Sequence, residues 1–363
     1  MNRKVALVMA GGTGGHVFPA LATARVLQRR GFDIVWLGTQ RGIEARLVPA
    51  EGIPVEWLSI TGLRGKNAAT LLLAPFRLAL AISQAMRAIR KHRPRVVLGA
   101  GGFASGPGGI AAWLLRRPLV VHEQNAVAGL TNRVLARFAV RVLEGFPGSF
   151  GGRIKAERVG NPVRPEIVGV APPEKRFAGR EGPARLLVFG GSQGAARLNV
   201  VLPAAIAELP EALRPEVLHQ TGTHNFEETV HAYKSRGIEA DVRPFIDDMA
   251  SAYGWADLAV CRSGALTVAE LAAAGVPSIL VPFPAAVDDH QTRNAEYVVR
   301  AGAARLLPER VLTPNSLAAL LKTLLEAGRP QLMRMAQAAR ATAIVDADER
   351  LADACVQAAG EAA

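Results

Sequence analysis

Cysteine is nearly absent from this chain: of its 363 residues only Cys261 and Cys355 carry a thiol. Two cysteines so far apart, with no ligand spacing, exclude a disulfide frame and a zinc site and predict reduced thiols in the cytosol. Aromatic residues make up 5% of the sequence. No stacking, zinc-finger or recognition-helix pattern accompanies its positive charge, so nucleic acid is not the expected partner. No uncharged apolar run reaches the ~18 residues needed to span a bilayer. Met1 to Lys4 leads straight into a strand-like run, which predicts no export signal and a cytoplasmic protein. Acidic residues are missing from Trp57 to His122, where ten basic ones stand: Arg64, Lys66, Arg77, Arg87, Arg90, Lys91, Arg93, Arg95, Arg116 and Arg117.

Inside that acid-free segment, TLLLAPFRLALAISQAMRAIRKHR is apolar first and basic later. Docking to an anionic membrane surface is the expectation, each exposed Lys or Arg contributing about 1 kcal/mol there. The plainer alternative is an amphipathic surface helix whose polar face happens to be arginine-rich.

What the chain has in abundance is glycine placed after apolar runs. VALVMAGGTGGH spans Val5 to His16 and LLVFGGSQGA spans Leu186 to Ala195. A strand, a glycine turn and a helix together aim backbone N–H groups and a positive helix end at one spot, which suits phosphate. The unit occurs twice, about half a chain apart, and 363 residues exceed one typical core, so two domains are expected. Strands are predicted at 4–10, 33–38, 54–58, 95–99, 118–122 and 140–144, with helices such as Pro19 to Arg30 and Ala68 to Lys91 between them. A Pro/Gly/charge-rich linker follows GNPVRPEI, and the alternation resumes at 185–190, 216–220, 240–245, 257–261, 277–282 and 304–307. This pattern predicts an α/β protein with two doubly wound parallel sheets, their ligands bound beyond the carboxyl ends of the strands.

Two cofactor classes are disfavoured. The second strand, DIVWLG, ends in Thr39, Gln40 and Arg41, without the acidic residue that holds a dinucleotide ribose, and Val17 stands where a third fingerprint glycine belongs. Neither glycine turn continues into a Lys-Ser/Thr phosphate loop. His16 falls where the first helix begins and is a candidate proton acceptor, although a lone histidine is more often structural. GAGGFASGPGG at 99–109 and HEQNAVAGLTN at 122–132 also follow apolar strands, bringing Ser105, His122, Glu123 and Asn125 to the same edge.

In the second half, CRSGALTVAELAAAGVPSILVPFP turns at Ser263 and Gly264 and starts a helix near Ala265, with Glu270 inside it. A carboxylate there suits the vicinal hydroxyls of a ribose. Phe245 and Ile246 lie in a loop whose backbone suits a base edge, and Gln291 and Asn294 suit sugar hydroxyls.

The motifs GGTGGHVFPALA, GGFASGPGG, HEQNAVAGLTN, GNPVR, GGSQGA, FIDDMASAYGWAD, CRSGALTVAELAAAGVPSILVPFP and DDHQTRNA occur in the order found in MurG, and the chain resembles that family of bacterial glycosyltransferases from 11 to 295. The resemblance implies the GT-B architecture, two Rossmann-like domains facing a cleft. It implies a membrane-contact and acceptor domain at 1–163, a UDP-sugar domain at 164–341, and a terminal helix about 342–363 returning to the first. It implies inverting, metal-independent transfer of N-acetylglucosamine from UDP-N-acetylglucosamine to a lipid-linked muramyl-pentapeptide, at the cytoplasmic side of the inner membrane and without a cofactor. Carried over, Ser192 holds phosphate, Ile246 reads uracil, and Glu270 takes the ribose diol. Ala265, Leu266, Thr267, Val268 and Ala269 line the nucleotide edge, Arg164 lies beside the donor, and Gln291 contacts the sugar. Thr13, Gly14, Gly15 and Asn125 close onto the donor. His16 is the implied proton acceptor, with Glu123 in reserve. A tyrosine of the family pattern is replaced here by Phe103, which argues against an essential phenolic hydroxyl. The rival readings are a UDP-N-acetylglucosamine epimerase of similar shape, which would carry added acidic residues, and a non-catalytic membrane scaffold, which would have no use for Glu270 or Gln291.

Overall fold

The computed structural model describes residues 4–60, 73–152, 154–191 and 194–360. The chain divides into two compact units, Met1–Val163 with Asp346–Ala363, and Arg164–Val345.

The first unit carries a seven-stranded, all-parallel sheet of β1 (Val5–Met9), β2 (Asp33–Gly38), β3 (Val55–Trp57), β4 (Val96–Gly99), β5 (Leu119–Glu123), β6 (Arg141–Glu144) and β7 (Glu157–Arg158). Their order is β3-β2-β1-β4-β5-β6-β7. Every residue of β1 is buried, as a strand covered by helices on both faces requires, and this explains its unbroken apolar run. On one face lies the helix Gly14–Arg29. The helix Ala347–Ala358 packs beside it, placing Leu351 and Cys355 in the same core. Arg30 anchors that return at its surface, 2.6 Å from Glu349. On the other face the helix Ala74–His92 buries Ala81, Ala85, Ala88 and Ile89 and packs on the helix Ser105–Leu114. The spacings of four and three keep the alanines on a single stripe, so the two helices approach closely. The part of the predicted helix from Ala68 to Leu72 lies outside the described residues.

The second unit repeats the plan with β8 (Arg185–Phe189), β9 (Glu216–Gln220), β10 (Asp241–Arg243), β11 (Leu258–Cys261), β12 (Ser278–Leu280) and β13 (Ala304–Leu306). All are parallel, in the order β10-β9-β8-β11-β12-β13. Strand order therefore reverses between β1 and β4 in one unit and between β8 and β11 in the other. Those are the points where open parallel sheets leave a crevice for ligands.

The segment read from composition as a linker is instead a built part of the second unit. It holds the short helix Pro173–Phe177, which follows the helix Pro165–Val168 that begins within GNPVRPEI. Its Arg176, 7% exposed, donates to the carbonyls of Tyr253, Ala256, Ala274 and Gly275. Burial pulls the Arg176 guanidinium down to about 10. Arg180 pairs with the buried Asp257. Proline and glycine shape turns whether or not a segment is packed. Here two arginines satisfy helix-end carbonyls that would otherwise be orphaned.

Candidate functional site

At the first crevice, Ala100 donates its backbone N–H to Met9, so the turns after β1 and β4 lie side by side. Ser105 is wholly buried and donates to the carbonyls of both Met9 and Gly101, which makes it a tie between those turns. Gly102 approaches the Gly11 backbone so closely that an added Cβ would sit 2.3 Å from the Gly11 oxygen. Glu44, also fully buried, accepts from the backbone of Gly12 and from Thr39, bracing the first turn from behind.

Thr13 precedes the helix Gly14–Arg29 with extended backbone, and its hydroxyl does not cap the helix. The first intrahelical bonds run from His16 and Val17 to the Thr13 carbonyl. The N–H groups of Gly14 and Gly15 thus point out of the helix end, where anions are stabilised. The half-buried His16 places its Nδ1 3.0 Å from the Gln124 Oε1. Gly101, at φ +95°, faces the ring: a Cβ there would lie 2.7 Å from Nδ1.

Residues 122–125 alternate in direction, as a strand requires. His122 and Gln124 point together into the interior, where Gln124 donates to the Ala100 carbonyl and lies 3.2 Å from His122 Nδ1. His122 Nε2 lies 3.0 Å from the Gly160 carbonyl. Burial depresses the His122 imidazole to about 4, so it is neutral at pH 7. Glu123 points the other way and is 2% exposed. Its Oε1 accepts from the backbone and side chain of Asn125, and its Oε2 from Gly129 N–H and Asn132 Nδ2. All four acceptor positions of that carboxylate are occupied. Phe103 is exposed in the neighbouring turn.

At the second crevice, Gly194 (φ +72°) turns so tightly that a Cβ would strike the Thr221 carbonyl at 2.0 Å. Ser192, expected to hold phosphate, lies outside the described residues. β11 ends at Cys261, and the helix Ala265–Ala274 opens at Gly264 with no side-chain cap. Val268 N–H already bonds the Gly264 carbonyl. This leaves the N–H groups of Ala265, Leu266 and Thr267 at the helix mouth, while Val268 is buried and Ala269 half-buried one turn in. Glu270, one residue further, is bracketed by Tyr253 Oη at 3.0 Å from Oε2 and by Arg164 Nε and Nη2 at 3.2 and 3.1 Å from Oε1. Burial raises the Glu270 carboxyl above the usual range, against the pull of Arg164 and Tyr253. Gln291 Oε1 accepts from Phe283 N–H, and its backbone carbonyl accepts from Ser263 Oγ, so its amide nitrogen remains to donate. Ile246 sits in the loop after β10 with its side chain buried. Asp248 caps the next helix through Ser251.

Of the residues singled out in the sequence, the first unit gathers Thr13, Gly14, Gly15, His16, Glu123 and Asn125 at one sheet edge. The second gathers Arg164, Ala265 to Glu270 and Gln291 at another. Gln124, Gly101 and Tyr253 were not singled out. For Gln124 a signal was present: carried one residue past β5, the period of two puts it beside His122.

The chain matches the glycosyltransferase family 28 N-terminal domain over residues 6–144 and the family's C-terminal domain over 185–351. It is 57% identical over 357 residues, 98% of each chain, to a Marinobacter nauticus protein named UDP-N-acetylglucosamine–N-acetylmuramyl-(pentapeptide) pyrophosphoryl-undecaprenol N-acetylglucosamine transferase. The crystal structure of Acinetobacter baumannii MurG superposes with a TM-score of 0.88 at 41% identity, covering 98% of this chain and 99% of that one. A UDP-N-acetylglucosamine 2-epimerase structure, at 14% identity, 99% and 97% coverage and a TM-score of 0.64, shares the fold alone. Two parallel-sheet units with their glycine turns at the strand-order reversals, and full-length identity above one half, place the chain in one group: it belongs to glycosyltransferase family 28, in the MurG family.

Proposed function

We propose that this enzyme transfers N-acetylglucosamine from UDP-N-acetylglucosamine to the muramyl sugar of undecaprenyl-diphospho-muramoylpentapeptide, forming a β-1,4 linkage with inversion. The carrying observation is the 57% identity over 98% of both chains to a relative named for this reaction. The epimerase alternative is supported by fold likeness alone.

The acceptor hydroxyl attacks the anomeric carbon from the face opposite UDP, the C–O bond to the diphosphate breaks, and the hydroxyl proton passes to a base. His16 is that base in our reading, a step worth ~10²–10⁴-fold. Glu123, with every acceptor position engaged by its own loop, serves to hold Asn125 in place. Negative charge growing on UDP is met by N–H groups at the mouth of Ala265–Ala274 and by Ser192, without a metal ion. Glu270 accepts the ribose hydroxyls, Arg164 stands beside it, Ile246 backbone reads the uracil edge, and Gln291 donates to the sugar. Thr13, Gly14, Gly15 and Asn125 offer further donors to the substrate.

The acceptor's lipid requires a membrane surface, and the helix Ala74–His92 supplies a fitting face. Phe76, Leu78 and Leu80 are exposed on its first half and Arg87 and Arg90 on its second. Trp113 and Phe138, their rings tilted 39° to each other with centroids 4.7 Å apart and both exposed, extend the apolar surface of the same unit. We assign this face to the cytoplasmic leaflet.

The deciding experiment is transfer of labelled N-acetylglucosamine to a short-chain lipid-linked muramyl-pentapeptide in the presence of EDTA. Disaccharide product supports both the reaction and its independence of metal. No product, with UDP-N-acetylglucosamine still bound, overturns the acceptor assignment.

A further inference from the structure

The hydrogen bonds around His16 admit one self-consistent arrangement of protons. The Ala100 carbonyl, which only accepts, lies 3.0 Å from one end of the Gln124 amide, so that end is the nitrogen. The other proton of the same nitrogen points to His122 Nδ1 at 3.2 Å, so that nitrogen accepts. The neutral His122 then carries its proton on Nε2, where the Gly160 carbonyl takes it at 3.0 Å. With the amide so oriented, its oxygen faces His16 Nδ1 at 3.0 Å, and an amide oxygen only accepts. His16 must therefore hold its proton on Nδ1. Gln124 is 1% exposed and His122 is fully buried, so water does not compete for these bonds.

We infer that Gln124 is a positioning residue that locks His16 in the Nδ1–H tautomer, leaving the lone pair on Nε2 to receive the acceptor's proton. The inference rests on the reading of His16 as the base. The proton leaving the sugar hydroxyl goes to Nε2, the electron pair it leaves forms the new glycosidic bond as the anomeric C–O bond breaks and UDP departs with its electron pair, and the Nδ1 proton stays donated to Gln124. Without a fixed acceptor at Nδ1 the proton is free to settle on Nε2, which removes the lone pair from the reacting side. Gly101, lacking a Cβ, leaves the space in which the ring lies.

Two measurements test this. In protein labelled with ¹⁵N-histidine, the His16 signals, assigned by their loss in His16→Ala, are expected to show a protonated Nδ1 and an unprotonated Nε2 at pH 7.5. A protonated Nε2, or a rapidly averaged pair, overturns the lock without recourse to a Gln124 variant. Gln124→Met is expected to lower kcat roughly 10- to 10²-fold while the KM for UDP-N-acetylglucosamine stays within about 2-fold. The same change placed on His16→Ala is expected to cost almost nothing further. An equal loss in both backgrounds would mean that Gln124 does not act through His16, and overturns the inference. Should the tautomer be as stated while His16→Ala keeps near-normal turnover, the base reading fails and the catalytic part of the inference fails with it. Activity lost in His16→Ala together with a protonated Nε2 overturns the lock and leaves the base reading standing.

Discussion

Arg164 and Glu270 form an ion pair, Nη2 to Oε1 at 3.1 Å, in which the carboxylate is largely covered and the guanidinium half exposed. The carboxylate assigned to the ribose thus already has a partner on one oxygen and Tyr253 on the other. A diol that binds Glu270 exchanges places with Arg164 or joins it, and the exposed arginine is the easier group to move.

UDP affinity is therefore expected to depend on pH at an unusual place for a carboxylate. Burial raises the Glu270 carboxyl, so the ionised form that accepts hydroxyls is lost as pH falls, starting above the ordinary glutamate range. Arg164→Ala removes a cation that lowers this carboxyl and should move the acid edge of binding further up. Glu270→Gln should weaken UDP roughly 10²-fold at neutral pH, the scale of hydrogen bonds to a charged acceptor. Calorimetric titration with UDP from pH 4.5 to 8 checks all three; a wild-type affinity flat across that range refutes the ribose role.

Glu123 accepts four hydrogen bonds within one turn. Glu123→Gln puts an amide nitrogen against two donors and should cost about 2 kcal/mol or more of stability. Urea unfolding reads the loss directly. A stability equal to wild type with activity abolished would instead restore Glu123 as a proton acceptor.

Gly101 stands at φ +95° with the His16 ring against it. Gly101→Ala is strained by backbone conformation and by a Cβ 2.7 Å from Nδ1, so the ring must shift. Turnover should fall by about 10-fold or more, the usual result of misplacing a reacting group, with UDP affinity unchanged. Steady-state kinetics beside UDP titration separates the two, and unaltered kcat would count against His16.

Buried neutral histidines make the fold sensitive to acid. His122 is depressed to about 4 and His219 to about 3, both by burial. The unfolded chain binds their protons near pH 6.5 while the folded chain does not. Their stability is therefore fully present above pH 6.5 and declines as pH falls toward 4, by on the order of 3 kcal/mol for His122. Chemical unfolding at pH 7 and pH 5 should show the drop. Equal stability at both would mean that water reaches these rings.

Charge reversal on the helix Ala74–His92 tests the membrane face. With Arg77, Arg87 and Arg90 changed to Glu, binding to phosphatidylglycerol vesicles should weaken by more than ~10²-fold, given about 1 kcal/mol per basic residue. Cosedimentation at moderate salt measures it, and undiminished binding would reassign the face.

The alternation of apolar runs and glycine turns made the α/β fold legible, because strands covered on both faces must be apolar throughout and turns after them need left-handed glycine. The strand expectations at 33–38 and 216–220 coincide with β2 and β9. The segment after GNPVRPEI did not read correctly. Its arginines look solvated in sequence, and only the carbonyls at the ends of Met249–Trp255 and Ala265–Ala274 make Arg176 a core residue.

Sequence alone determined the two sheets, the placement of glycine turns at strand ends and the family, since these follow from periodicity and from motifs contiguous in the chain. It named His16 and Glu123 but passed over Gln124, and it gave no sign that the carboxylate of Glu123 is already engaged. His219 is fully buried between Asn199 and Tyr233, whereas His16 is half-buried with Nε2 left over after Gln124. Only the tertiary structure decided which polar groups are consumed by their neighbours. A hydrogen-bond acceptor is available for chemistry only where partners brought from elsewhere in the chain, such as Ala100 and Gly160, have not already used it.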